Sequence, residues 1–136
     1  MSNPLPIREE LLLVDDEEDI LLELAEMLEH EGFRCHTALS VRAALELLDQ
    51  HPDIALAITD LRMPDESGLR LIQRLRQNVA RQNLPVIVTS GHAEMEDVIE
   101  ALRLQVVDFF RKPIYHDRLF EALNRLFPPP PVRLVR

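Results

Sequence analysis

The sequence predicts an α/β fold in which a doubly wound parallel sheet of five strands, in the order 2-1-3-4-5, lies between two layers of helices. Short apolar runs alternate along the chain with amphipathic helical patterns. Most of these runs are apolar at nearly every position, which is typical of parallel strands that are covered on both faces. At 136 residues the chain fits one domain and is too short for an eight-stranded barrel.

Each element has a recognisable start or stop in the sequence. The five strands are expected at residues 11–14, 33–38, 54–58, 85–89 and 106–110. Helices are expected around residues 20–28, 41–48, 69–75, 94–102 and 116–126. Gly32 and Pro52 mark helix ends, and the second strand mixes apolar with polar residues, which favours an edge position.

The domain boundaries follow from the same pattern. We place one domain at residues 11–127, preceded by an N-terminal extension at residues 1–10. Four prolines in succession begin a proline-rich segment at residues 128–136, which is either a tail or the start of a linker.

Composition excludes several classes of function. The net charge of −9 argues against direct contact with nucleic acid, which requires a basic face. The single cysteine, Cys35, excludes an internal disulfide, and we interpret it as a packing residue. The chain has no apolar run of the roughly 20 residues that span a bilayer and no leader pattern at its start, so we predict a cytoplasmic protein without membrane contact.

Carboxylates follow two of the predicted strands, and the strand order brings them together. Asp15 and Asp16 end the first strand, and Asp60 follows the third. Because the ligand crevice of such a sheet lies where the winding reverses, between these two strands, we expect the three side chains to meet there, flanked by Ser90 and Lys112. Oxygen ligands without imidazole or thiolate indicate Mg²⁺, or Mn²⁺, and Asp60 remains as a nucleophile for phosphoryl transfer.

Four motifs, in order and at matching spacing, resemble the receiver domain of two-component response regulators, from about residue 11 to residue 126. They are Val14-Asp15-Asp16-Glu17, Thr59-Asp60-Leu61-Arg62-Met63-Pro64 followed by Gly68, Pro85-Val86-Ile87-Val88-Thr89-Ser90-Gly91, and Asp108-Phe109-Phe110-Arg111-Lys112-Pro113. The resemblance implies a (βα)5 flavodoxin-like three-layer sandwich. It also implies a signalling switch that assists its own phosphorylation and dephosphorylation and is not a turnover enzyme.

The same resemblance assigns roles to the residues of the crevice. Asp60 would accept a phosphoryl group from a sensor histidine kinase or a phosphotransfer protein. Asp16, Asp60 and the backbone carbonyl of Arg62 would bind Mg²⁺ directly, and Asp15 would bind it through water. Ser90 would contact the phosphoryl group and Lys112 would pair with it.

Further residues are implicated in relay and in the lifetime of the phosphoryl group. The resemblance implies that Phe109 turns inward when Ser90 moves, and that Arg62 and His92 tune the lifetime. The fourth helix, fifth strand and fifth helix would then contact a downstream protein or a linked output domain, or form a phosphorylation-dependent dimer. A cis Lys112-Pro113 bond is expected, whereas Gln105-Val106 replaces a Gly-Ala pair common in the family.

Two other classes of function compete with the switch. An aspartate-nucleophile phosphatase would also use Mg²⁺, but it usually has a second acid two residues after the nucleophile, where this chain has Arg62. A phosphorylation-independent pseudo-receiver would act only as an interaction module, and the retained polar residues argue against it. Plainer interpretations are a solvated helix start for Asp15 and Asp16, a helix cap for Ser90 and a surface charge for Lys112. The five histidines lack the spacing of metal ligands along the sequence and are interpreted as surface or structural residues.

Overall fold

A computed structural model of the chain describes residues 7–64, 66–92 and 94–129. Five strands and five helices alternate in this part of the chain. The strands are β1 (Glu10–Val14), β2 (Arg34–Ala38), β3 (Ile54–Asp60), β4 (Val86–Ser90) and β5 (Asp108–Arg111). The helices are α1 (Glu18–His30), α2 (Val41–Gln50), α3 (Gly68–Gln77), α4 (Met95–Arg103) and α5 (His116–Leu126).

All neighbouring strands are parallel, and their order is β2-β1-β3-β4-β5, as predicted. The winding reverses between β1 and β3, where Val14 lies opposite Thr59. β2 is an edge strand, in agreement with its mixed composition. The carboxyl ends of β1, β3 and β4 therefore lie side by side.

The helices form two layers around the sheet, each with its own apolar core. α1 and α5 cover one face through residues such as Leu28 and Leu119, which are fully buried. α2, α3 and α4 cover the other face through residues such as Leu48, Leu71 and Ala101. Burial of both sheet faces explains why the central strands are apolar at consecutive positions.

Local sequence sets the ends of several helices. The Ser40 hydroxyl accepts a hydrogen bond from the Ala43 amide at 3.1 Å and caps α2. Ser67 caps α3 in the same way, through the Leu69 amide. Gly32 follows α1 with φ +97°, a left-handed conformation that glycine adopts without steric cost.

Two strand boundaries differ from the prediction in ways that matter for the site. β3 continues to Asp60 instead of ending at Ile58, so the carboxylate belongs to the last residue of the strand. β5 begins at Asp108 instead of Val106, because the Val106 amide still bonds to the Ala101 carbonyl in the turn that leaves α4. The extension proposed for residues 1–10 overlaps the start of β1 at Glu10, and its first six residues, like residues 130–136 of the proline-rich segment, lie outside the described part of the chain.

Candidate functional site

Three aspartates converge at the carboxyl ends of β1 and β3. Asp60 ends β3, and Asp15 and Asp16 follow β1 directly. One carboxylate oxygen from each lies within 4.8 Å of the others. Asp15 and Asp60 are each only 5% exposed, whereas Asp16 is exposed to solvent. The structure thus forms the acidic pocket that the strand order predicts.

Lys112 joins the two buried aspartates. Its ammonium group donates hydrogen bonds to Asp15 Oδ2 at 2.7 Å and to Asp60 Oδ2 at 3.1 Å. The Lys112 amide also bonds to the Ser90 carbonyl at 2.9 Å, which fixes the end of β5 against β4. Lys112 is therefore part of the pocket and not a surface charge. The Lys112-Pro113 peptide bond is cis, as expected.

Burial and the pairing with Lys112 have opposite effects on the pKa of Asp60, and burial and pairing also oppose each other at Lys112. Burial raises the pKa of Asp60, and the Asp15 carboxylate adds to the rise, whereas hydrogen bonding and charge attraction from Lys112 oppose it; the net pKa is raised. Burial would lower the pKa of Lys112, but hydrogen bonds and charge attraction from Asp15 and Asp60 outweigh it and raise that pKa. Lys112 thus stays charged at neutral pH and only partly offsets the cost of ionising Asp60.

The loop after β3 holds Asp60 in place through backbone contacts. The free oxygen Asp60 Oδ1 accepts a hydrogen bond from the Arg62 amide at 3.3 Å. The Leu61 carbonyl accepts bonds from the Gly68 amide and the Ser67 hydroxyl, which closes the loop. A Cβ atom at Gly68 would lie 2.0 Å from the Asp60 carbonyl oxygen, so only glycine fits at this position.

Ser90 and Phe109 lie on the neighbouring strands. Ser90 is buried at the end of β4, one residue beyond Thr89, which pairs with Asp60 in the sheet. Its hydroxyl accepts a hydrogen bond from the His92 amide at 3.3 Å. Phe109 is half-buried and packs against the core beneath α4. Phe109 lies within β5 as predicted, whereas Ser90 is the last residue of β4, which was predicted to end at Thr89.

One contact of the site was not foreseen from the sequence. The Arg62 guanidinium turns away from the pocket and pairs with Asp97 at 3.1 Å and with Glu94 at 3.8 Å. Glu94 and Asp97 form the capping box at the start of α4. The loop after the third strand is thereby tied to the fourth helix. No short-range sequence signal reveals a contact between positions 35 residues apart.

The composition of the pocket fits a hard divalent cation. The three carboxylates and the single ammonium group carry a summed charge of −2 when ionised, and two of the carboxylates are buried. All the side-chain donors are oxygen atoms, the ligands that Mg²⁺ and Mn²⁺ prefer. Asp15, Asp16 and Asp60 are the residues that would hold such an ion.

Cys35 lies apart from this pocket and packs against the core beneath α1 and α5. Burial, together with the nearby Glu29 carboxylate, raises the pKa of its thiol to about 12. A thiol of this kind is protonated at neutral pH, in agreement with a packing role.

Comparison with known proteins identifies the family. The model of the response regulator receiver domain matches residues 11–124. The two-component response regulator PprB of Pseudomonas aeruginosa is 33% identical over 127 residues, which cover 93% of this chain and 46% of PprB. The chain therefore spans about half the length of that curated relative.

Solved structures lead to the same family. A response regulator receiver protein from Pseudomonas putida superimposes with a TM-score of 0.84 at 36% identity, covering 89% of this chain and 99% of that one. The beryllofluoride-activated NtrC4 receiver domain dimer gives a TM-score of 0.78 at 29% identity, with coverage of 87% and 95%. The chain belongs to the receiver domains of two-component response regulators.

Proposed function

We propose that the chain is a phosphorylation switch in which Asp60 accepts a phosphoryl group from a phosphohistidine of a sensor kinase or phosphotransfer protein. The observation that carries the proposal is the pair of short contacts from Lys112 to Asp15 and Asp60, beside a third carboxylate. Together these groups supply a nucleophile, a fixed positive charge and a set of cation ligands in one pocket.

In the proposed step, a carboxylate oxygen of Asp60 attacks phosphorus while the phosphorus–nitrogen bond of the donor breaks. The electron pair of that bond returns to the donor imidazole, and an acyl phosphate forms on Asp60. Lys112 is close enough to Asp60 to pair with the new phosphoryl oxygens, and the buried Ser90 hydroxyl supplies a hydrogen-bond donor from the adjacent strand. The step needs alignment and charge neutralisation more than covalent assistance from the protein.

Mg²⁺, or Mn²⁺ in its place, completes the pocket in this proposal. When bound, such an ion would supply positive charge to offset the negative charge of the phosphoryl oxygens. Asp16 and Asp60, with the Arg62 carbonyl, are the direct ligands that we propose, and Asp15 acts through water. The exposed position of Asp16 provides access from solvent.

A groove beside the pocket is the proposed docking surface for the phosphoryl donor. It has a volume of about 200 Å³ and is lined by Ile20 and Leu24 of α1 and by the loop from Lys112 to Ile114. Ile20→Glu is expected to slow transfer from a kinase without slowing phosphorylation by a small acyl phosphate. Leu22→Glu, on the exposed side of the same helix, is the matched control. Equal slowing by both variants would contradict this docking surface.

The output surface in this proposal is the face formed by α4, β5 and α5. Large apolar side chains are exposed there, including Met95 at 72%, Leu102 at 62% and Tyr115 at 67%. Movement of Ser90 toward the phosphoryl group would be relayed to this face through Phe109. The partner is a downstream protein, a linked output domain or a second copy of the chain, as in the NtrC4 dimer. We also propose that Arg62 and His92, which follow Asp60 and Ser90 by two residues each, tune the lifetime of the phosphoryl group.

The proposal is tested by intact mass after incubation with acetyl phosphate and Mg²⁺. The wild-type chain is expected to gain the mass of one phosphoryl group, and Asp60→Asn is expected to gain none. Asp53→Asn, an exposed aspartate at the opposite end of β3, should behave as wild type. A phosphoryl adduct that persists in Asp60→Asn would defeat the proposal. If the wild-type chain gains no phosphoryl group in the presence of Mg²⁺, the result would favour an interaction module. Steady turnover of a phosphomonoester would instead favour a phosphatase.

A further inference from the structure

A second group of metal-ligating side chains lies at the opposite end of the sheet. Glu10 begins β1, His36 lies within β2, and His51 follows α2. One ligand atom from each lies within 4.8 Å of the others. Asp15 is five residue steps beyond Glu10 along the extended chain, or about 16 Å, so this group is distinct from the acidic pocket.

The three side chains already contact one another. His36 Nε2 lies 2.9 Å from Glu10 Oε1, and the His36 and His51 rings stack with their centroids 4.0 Å apart. All three residues are partly buried. They come from three different elements of the fold, so the fold itself brings them together.

We propose that Glu10, His36 and His51 form a binding site for a borderline transition-metal ion, with Zn²⁺ as its representative. Two imidazole nitrogens and one carboxylate oxygen form a ligand set typical of zinc sites that keep a fourth position for water. Mg²⁺ disfavours imidazole, so the two ends of the sheet select different metals.

The distances are compatible with this coordination. Zinc bonds of about 2.0 Å in a tetrahedral arrangement place ligand atoms about 3.3 Å apart. The contact of 2.9 Å between His36 and Glu10 and the upper limit of 4.8 Å for the group bracket that value. The two rings are inclined by only 28°, so their nitrogen lone pairs lie in nearly parallel planes, and the His51 ring must turn to direct its lone pair at the same ion. His51 is the partly exposed C-cap residue of α2, at the end of that helix.

The first test is calorimetric titration of the full chain with Zn²⁺ in the presence of excess Mg²⁺, which occupies the acidic pocket. We expect one saturable zinc site per chain, and a loss of affinity of at least about tenfold in both His36→Asn and His51→Asn. His30→Asn is the control, because His30 is exposed at the end of α1 outside the group. Absence of a saturable site, or equal affinity in all three variants, would overturn the proposal.

Two further variants test whether a loss of zinc binding comes from a change of fold or from binding at the acidic pocket. Glu10→Gln keeps an oxygen acceptor for His36 but removes the anionic ligand, so it should weaken zinc binding while circular dichroism shows an unchanged fold. Asp60→Asn should retain the zinc site, because it alters only the acidic pocket. Loss of zinc binding in Asp60→Asn with retention in Glu10→Gln would assign the ion to the pocket and refute the site proposed here.

Discussion

The two ends of the sheet each gather ionisable side chains, but they do so with different chemistry. At the carboxyl end, three carboxylates meet, and the ammonium group of Lys112 pairs with two of them. At the amino end, two stacked imidazoles lie against the single carboxylate of Glu10. The first group suits a hard cation and a phosphoryl group, and the second suits a borderline metal. One small sheet can therefore offer two metal preferences without sharing a ligand.

The ends also differ in what holds them in place. The carboxyl end depends on close backbone approach at Gly68, whereas side-chain contacts define the group at the amino end. Gly68→Ala is expected to lower the free energy of unfolding by about 3 kcal/mol, because its Cβ would overlap the Asp60 carbonyl oxygen. Urea denaturation measures this change. Gly91→Ala, where the nearest atoms belong to the Lys112 side chain at 3.8 Å, should change it by less than about 0.5 kcal/mol. Equal effects at both glycines would contradict the steric argument.

A variant at one end of the sheet should weaken only the metal that binds at that end. Asp16→Asn is expected to weaken Mg²⁺ binding at least about tenfold, or about 1.4 kcal/mol, and to leave Zn²⁺ binding unchanged. His36→Asn should show the reverse pattern. Titration of each variant with each metal gives four affinities. If one variant weakens both metals, the two ends are not independent.

Removing the buried charge of Asp60 should stabilise the protein at neutral pH. Asp60→Asn is expected to raise the free energy of unfolding by about 1 kcal/mol, because it relieves burial of a carboxylate and repulsion from Asp15. Because the pKa of Asp60 is raised in the folded state, ionisation of Asp60 opposes folding. The free energy of unfolding of the wild type therefore falls as the pH rises through the folded-state pKa. The difference in free energy of unfolding between variant and wild type should therefore vanish well below about pH 4, where Asp60 is protonated in both folded and unfolded states.

Denaturation of both proteins at several pH values, without added metal, measures this difference. Saturating Mg²⁺ should reduce this difference in free energy of unfolding at neutral pH, because the ion offsets the negative charge of the wild-type carboxylates. A variant that is less stable than the wild type at pH 7 would show that the Lys112 contact outweighs the cost of burial.

The smallest expected effect lies in the turn between α4 and β5. Gln105 has φ +61°, a left-handed conformation that costs a residue with a Cβ atom more than it costs glycine. Gln105→Gly is expected to raise the free energy of unfolding by about 0.5 kcal/mol, since greater freedom in the unfolded chain offsets part of the gain. Gln73→Gly, within α3, should lower it by about 1 kcal/mol. Thermal unfolding of the two variants distinguishes these opposite signs.

Much of the fold was predictable because its signals are local or follow from topology. Apolar runs located the strands, and the crossover rule then placed Asp15 beside Asp60 without any knowledge of the contacts. The end of β5 was harder to define, since the apolar residue Val106 belongs to the exit turn of α4. Propensity alone does not distinguish a strand residue from an apolar residue in a turn.

Contacts between side chains of distant elements were not predictable. Arg62 meets Asp97 across 35 positions, and no periodic pattern connects them. His36 and His51 were interpreted as surface or structural residues because they lack helical ligand spacing, yet the edge of the sheet and the end of α2 bring them into contact. Such groups require the packing of whole elements to be known.

One contact at the amino end of the sheet, far from the acidic pocket, joins the two ends of the folded core. Arg8, just before β1, donates hydrogen bonds to the Phe127 carbonyl and to the Asn124 side chain at 2.8 Å each. The two ends of the folded core are thus fastened at the same corner, on the side of the sheet remote from Asp60. A domain fused at either terminus would therefore be attached at that corner, about the length of one strand away from Asp60.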